Sequence, residues 1–289
     1  MFPITLDIGK LSEPATVLIK KISNAVGILY EPKRIINNAK AEAEAKKIQA
    51  LANIEINELE RRALERFVHQ EARKQENIEA ITAEAIRSLP NDADVSKLDE
   101  DWIAHFFNHC DNTSDKEMQL LWGRILSEEA IKAGSFSKRT INLVATLNKK
   151  DAELFTKLCQ FVWMAGEPVP LIFDFSNSIY ADQGINFSTL NHLQTIGLIS
   201  FNNLTGFIKP GLPKFFSIFY YGNQINFECP ANENNQLRIG QSIFTEAGKE
   251  LVPICGSQPN NEFISYSVDH WLRDGLILSC PYKSKSNPF

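Results

Sequence analysis

The run from Ala39 to Leu89 contains neither glycine nor proline, Pro90 ends it, and its charged and small apolar residues recur at helical spacing. That pattern predicts a single long helix. Its apolar positions, Ala41, Ala45, Ile48, Ala52, Ile56, Leu59, Ala63 and Phe67, advance by four, three, four, four, three, four and four residues. Such steps repeat over eleven residues, about 3.67 per turn, so the stripe runs nearly straight or slightly right-handed. Gln70 and Lys74 interrupt it, and it resumes at Ile78, Ile81, Ala85 and Leu89. Glu42 with Lys46 and Glu58 with Arg62 stand four apart in the favourable order, each pair adding roughly 0.2–0.5 kcal/mol. The helix would reach roughly 75 Å at about 1.5 Å per residue. It outreaches any small domain and needs a partner helix, either within the chain or from a second copy.

With 289 residues the chain has room for two domains and a sizeable core. Hydrophobic residues at 44% and charged residues at 22% are ordinary for a globular protein. A net charge of −5 argues against a dominant nucleic-acid or anionic-membrane role, because such binders concentrate cations. The cysteines (Cys110, Cys159, Cys229, Cys255, Cys280) are odd in number, scattered and never in a CxxC pair, which fits a reducing cytoplasm. Met1 to Lys10 lacks the basic start and apolar core of a secretory signal. No stretch of about 20 apolar residues is present to span a membrane. The expected location is cytoplasmic.

Four segments follow: residues 1–36 as an amphipathic N-terminal helix, 37–90 as the helical arm, 91–165 as a helical domain and 166–289 as an α+β domain. Leu11 to Tyr30 reads as a helix with Ser12 as N-cap, Pro14 in its first turn and Leu18, Ile22, Ala25 and Leu29 on one face. That face either packs on its own protein or lies on a membrane surface. Glu31-Pro32 breaks it. After Pro90 a helical domain is expected: Asp101 to Cys110 with Trp102, Ile103, Phe106 and Phe107, then a helix opened by a Ser114–Glu117 capping box. That second helix should end near Ala133-Gly134. Further helices are expected from Ser137 and over Asp151 to Met164, with Trp102 and Trp122 as anchors.

From Gly166 the pattern turns toward strands. Phe187 to Ile196 is a short helix, followed by Gly197-Leu198-Ile199 and apolar runs at Phe215 to Tyr221, Gln224 to Cys229 and Leu237 to Phe244. Gly222-Asn223 is a two-residue hairpin signal between two of these runs. Thr245 then caps a short helix, and Glu262 to Arg273 forms the last, with Phe263, Tyr266 and Trp271 inward. This order resembles winged-helix domains. The expected fold class is therefore mainly α: a long N-terminal helical arm, a central helical bundle and a C-terminal α+β winged-helix-like module.

Several spaced motifs carry a family likeness. Trp102 with Phe106-Phe107, Leu121-Trp122-Gly123-Arg124-Ile125-Leu126, Gly134 to Thr140, Asp151 to Phe155 and Thr245 to Leu251 resemble an uncharacterised bacterial family, a domain of unknown function, over residues from about 100 to 280. The lead-in from Gly9-Lys10-Leu11 to Glu31-Pro32, with Ala39 to Ala45, is similar to the start of the abortive-infection alpha family, which is linked to phage resistance in bacteria. Neither likeness supplies catalytic residues.

Few residues suggest chemistry. His105 and His109 stand one helical turn apart and could face one metal beside Cys110 or Asp111; packing next to Phe106-Phe107 is the plainer reading. No GxSxG elbow, phosphate-binding loop or HExxH motif occurs. His69, His192 and His270 stand apart from any identifiable nucleophile. Arg124, in an apolar helix, either pairs with an acid such as Glu128 or binds a ligand. Phe187 to Ile196 offers Ser188, Thr189, Asn191, His192 and Gln194 but no Lys or Arg to meet phosphates, and Lys209 and Lys214 add little. Phe215, Phe216, Phe219, Tyr220 and Tyr221 suit a sheet core or a partner surface.

No catalytic residue and no cofactor is expected. The best functional reading is a non-enzymatic interaction protein, oligomeric through the arm, in bacterial anti-phage defence by resemblance. The alternatives are a nucleic-acid-binding regulator through the C-terminal module and a membrane-acting effector through Leu11 to Tyr30.

Overall fold

A computed structural model of the chain describes residues 11–27 and 58–280. The part of the expected long helix before Glu58, most of the abortive-infection-like segment and the tail after Cys280 lie outside the described residues. The described residues fall into two compact units that divide between Ala145 and Thr146.

The first unit holds α1 (Glu13–Val26), α2 (Glu58–Ser88), α3 (Glu100–Cys110), α4 (Lys116–Ile131) and α5 (Lys138–Val144). Ser12 caps α1 by accepting from the Ala15 amide, and Gly27 closes it at φ 72°. Leu18 and Ile22 are buried where α1 packs on α3, and Lys21 Nζ donates to the Leu98 carbonyl at 2.7 Å. The helix expected after Ser114 begins one residue later. Asp115, not Ser114, accepts the amides of Glu117 and Met118, each at 3.0 Å; a carboxylate answers two orphan donors and the positive helix end together. The C-terminal part of α2 lies parallel to α4, since Asn77 meets Gln119 and Glu84 meets Gly123 further along both helices. Trp102 stacks on Phe106 at 5.1 Å, and Trp122 meets the Phe106 ring edge-on at 5.3 Å. Both tryptophans are buried, as expected of anchors. The buried carboxylate of Glu129 accepts from the amides of Gly134 and Phe136 at 2.6 and 2.8 Å. This holds the loop whose Phe136 carbonyl accepts the Trp102 indole N–H.

The second unit holds α6 (Lys149–Cys159), β1 (Val162–Met164), β2 (Pro168–Pro170), α7 (Ser178–Ala181), α8 (Phe187–Thr195), β3 (Ile199–Phe201), β4 (Phe207–Leu212), β5 (Phe215–Tyr220), β6 (Asn223–Glu228), β7 (Asn235–Gly240), β8 (Ser242–Phe244), α9 (Glu246–Leu251), α10 (Asn261–Arg273) and β9 (Ile277–Ser279). A five-stranded antiparallel sheet runs in the order β2-β1-β5-β6-β9; β3 pairs with β8 and β4 with β7 in two small sheets. Trp271 of α10 lies against Trp163 of β1 and Phe227 of β6, with ring centroids 5.0 and 4.9 Å apart. These rings fill one face of the larger sheet.

The expected mainly α fold is corrected by this architecture. About 53% of the described residues are helical and 17% lie in strands, so the protein is mixed α/β. The reason is local: the helix expected over Asp151 to Met164 ends at Cys159, and Val162-Trp163-Met164 becomes an interior strand of the large sheet. The apolar run at Leu237 to Phe244 is two strands, because Gly240 turns at φ 97° with its α-carbon against the Ile172 carbonyl, where a side chain has no room. Ile199–Phe201 does not lead into the Gly222 hairpin but pairs with β8. The hairpin turn itself sits at Tyr221-Gly222, with Tyr220 opposite Asn223. Both turn residues take positive φ, 44° and 81°, as a two-residue turn matched to the strand twist requires.

Candidate functional site

In α2 the helix divides by burial. Ile81, Ala83 and Ala85 are buried in the first unit, whereas every residue from Glu58 to Arg73 is exposed. The exposed part projects about 24 Å at about 1.5 Å per residue. It carries Leu59 (69% exposed), Leu64, Phe67 (59% exposed) and Val68, spread over one broad side of the helix. Arg61 bonds both Glu58 and Glu65 at 2.8 Å, one turn to either side. These contacts raise the Arg61 pKa, the hydrogen bond with Glu58 being the largest cause. Glu60, Arg62, Arg66, Glu71 and Arg73 add both charge signs. Exposed pairs of this kind contribute little to stability, and among the described residues this part of the helix has no buried face of the kind that ordinarily holds a helix in water.

The two histidines proposed from spacing do come together. Their rings are 4.6 Å apart, and His105 Nε2 lies 2.7 Å from Asn142 Oδ1. The flanking candidates serve other contacts: Cys110 is buried, and Asp111 pairs with Lys74 at 3.5 Å. Among the described residues no group of three or more His, Cys, Asp or Glu side chains is placed to hold a metal ion. Arg124 is exposed on the outer side of α4.

The amphipathic face of α1 is covered, with Leu18 and Ile22 buried against α3. No helix among the described residues is long and apolar enough to cross a membrane. On α8, His192 lies 2.7 Å from Asp151, and Gln194 accepts from the Phe201 amide at 2.6 Å. Ser188, Asn191 and Thr195 remain at its exposed surface. The aromatic run of β5 is split by the pleat: Tyr220 is buried and Phe215 and Phe219 are exposed.

Spacing alone did not reveal three tertiary groupings. Asp151, buried beneath His192, doubles as a member of the α6 capping box with Asn148. Glu167 sits between Lys249 at 2.7 Å and Lys209 at 3.1 Å. Hydrogen bonds first from Lys249, then from Lys209, hold its carboxyl below the usual range. These three charges rim a groove of about 340 Å³ floored by Val169, Ile239 and Phe244. The third grouping is the pair of cysteines Cys159 and Cys255, brought to one cavity from distant parts of the chain. Pairing across such separations leaves no trace in sequence spacing.

The chain matches the family described as "Protein of unknown function (DUF2806)" over residues 61–267. The family likeness read over residues from about 100 to 280 thus begins earlier, within the exposed part of α2, and stops within α10. No curated protein and no solved structure matches the chain.

Proposed function

We propose that this chain, which belongs to the DUF2806 family, is a non-enzymatic assembly protein whose helical arm joins it to a second copy of itself. The observation that carries the reading is the stretch Glu58 to Arg73, in which every residue is exposed and Leu59, Leu64, Phe67 and Val68 are presented to solvent. Burying a Leu or Phe side chain contributes roughly 1.5–3 kcal/mol. Both charge signs flank the apolar side, so two copies of the same surface are electrostatically compatible. The proposed setting is the bacterial cytoplasm and anti-phage defence, supported by the likeness of the segment from Gly9 to Ala45 to the abortive-infection alpha family.

The test is a double substitution, Leu59→Glu with Phe67→Glu, in the full chain. Light scattering should find the unsubstituted protein as a defined oligomer and the variant as a monomer, with unchanged circular dichroism because neither side chain is buried in the first unit. A monomer in both cases would sink the assembly reading. Phage challenge of cells carrying either form then examines the setting: protection that needs the unsubstituted arm supports it, and equal plaque counts with and without the protein count against it.

A further inference from the structure

The last residue of α6 and the residue closing the short 3-10 turn after α9 are both cysteines, and Cys159 and Cys255 line a single cavity of about 300 Å³. The two thiols face this shared cavity, and neither is in a disulfide. Cys159 is buried, whereas Cys255 keeps part of its surface exposed. No other cysteine reaches this cavity.

The surrounding bonds hold the two segments in place. Thr156, one turn before Cys159, donates its hydroxyl to the Cys255 carbonyl at 3.1 Å. Tyr221 donates to the Cys159 carbonyl at 3.2 Å, and its oxygen is 2.8 Å from Ser257 Oγ, two residues beyond Cys255. Tyr221 reaches both from a left-handed backbone conformation, φ 44°, which is costly for an aromatic residue. Thr156 and Tyr221 thus tie together the two segments that carry the cysteines.

We propose that Cys159 and Cys255 form a reversible dithiol–disulfide site, oxidised by a small hydroperoxide that enters this cavity. Burial pushes the Cys159 thiol up, and the neighbouring Cys255 adds to that, so the attacking thiolate is Cys255, on the open side. The Cys255 sulfur attacks one oxygen of hydrogen peroxide; the O–O bond breaks, the thiol proton leaves with the departing hydroxide as water, and Cys255 becomes a sulfenic acid. The Cys159 sulfur then attacks the Cys255 sulfur. The S–S bond forms, the S–O bond breaks, and the departing hydroxide takes the Cys159 proton as a second water. Two thiols and one peroxide become one disulfide and two waters, and an external dithiol reverses the step.

Peroxide treatment of the folded full chain, followed by thiol blocking, digestion without reductant and mass spectrometry, tests the site. The expected product is one joined peptide pair carrying Cys159 and Cys255, lighter by two hydrogens than its reduced parts and released by dithiothreitol. In the Cys255→Ser variant the link should vanish and Cys159 should remain a thiol at the same peroxide dose. Two outcomes overturn the proposal: this link forming no more often in the folded chain than in the urea-unfolded one, or Cys255 passing to sulfinic acid without linking.

Discussion

A methyl group added at Gly123 would lie 2.6 Å from Glu84 Cβ and 3.2 Å from the Ala85 amide nitrogen. On an exposed helix, Gly→Ala stabilises by about 1 kcal/mol. At this crossing the added carbon must push α2 off α4, and overpacking of that kind costs roughly 1–3 kcal/mol. Urea denaturation of Gly123→Ala should therefore show a net loss; a gain would mean the two helices have room to spare. Tyr220 makes a second residue-level case. Its hydroxyl donates to the Gln160 carbonyl at 2.6 Å and accepts from the Asn260 amide at 2.7 Å, and burial pushes its pKa up to about 12 from 10.0. A raised folded value favours the protonated phenol. Its contribution is complete below pH 10, the unfolded value, and is lost as pH rises toward 12. Absorbance titration of phenolate should show a component that ionises later than an exposed tyrosine, and Tyr220→Phe should reduce that late component while costing about 1–3 kcal/mol at neutral pH through the orphaned amide and carbonyl. Local chemistry of this kind was partly legible: Ser12, Ser137 and Thr245 cap helices where the sequence predicts them. The Asp115 cap was displaced by one residue because adjacent Ser and Asp both satisfy the rule and the carboxylate accepts two amides.

Among the elements, α2 carries two environments on one helix. Its later turns are core and its earlier turns are surface, and the break in the apolar stripe at Gln70 and Lys74 falls at the transition. The division determines which variants are informative. Removing the whole arm up to Pro90 would take Ile81 and Ala85 out of the core, whereas Leu59→Glu with Phe67→Glu changes only exposed side chains, with an expected change in thermal midpoint near zero for the isolated protomer. The strands were legible where apolar residues alternate over several positions, as in β5 and β6. The three-residue strands β1 and β2 escaped because Val162-Trp163-Met164 continues the apolar face of α6 in sequence, and only pairing with β2 and β5 makes it a strand.

For the whole molecule, each of the two units has its own aromatic core, one around Trp122 and the other around Trp163 and Trp271. A fragment beginning at Thr146 should accordingly fold by itself, with the near-ultraviolet circular dichroism of fixed tryptophans and a cooperative thermal transition; a fragment without either signal would show that the division is not one of independent stability. The sequence by itself determined most of the helices, the caps at Ser12, Ser137 and Thr245, the two strands of the central hairpin and the helix from Glu58 to Ser88, because each follows from periodicity and turn chemistry within a few residues. Tertiary structure alone decided the mixed α/β class, the five-strand order, the Glu167 charge cluster and the meeting of Cys159 with Cys255. Those depend on which distant segments find each other, and the free energy of such pairings comes from shape and burial in three dimensions that no local spacing encodes.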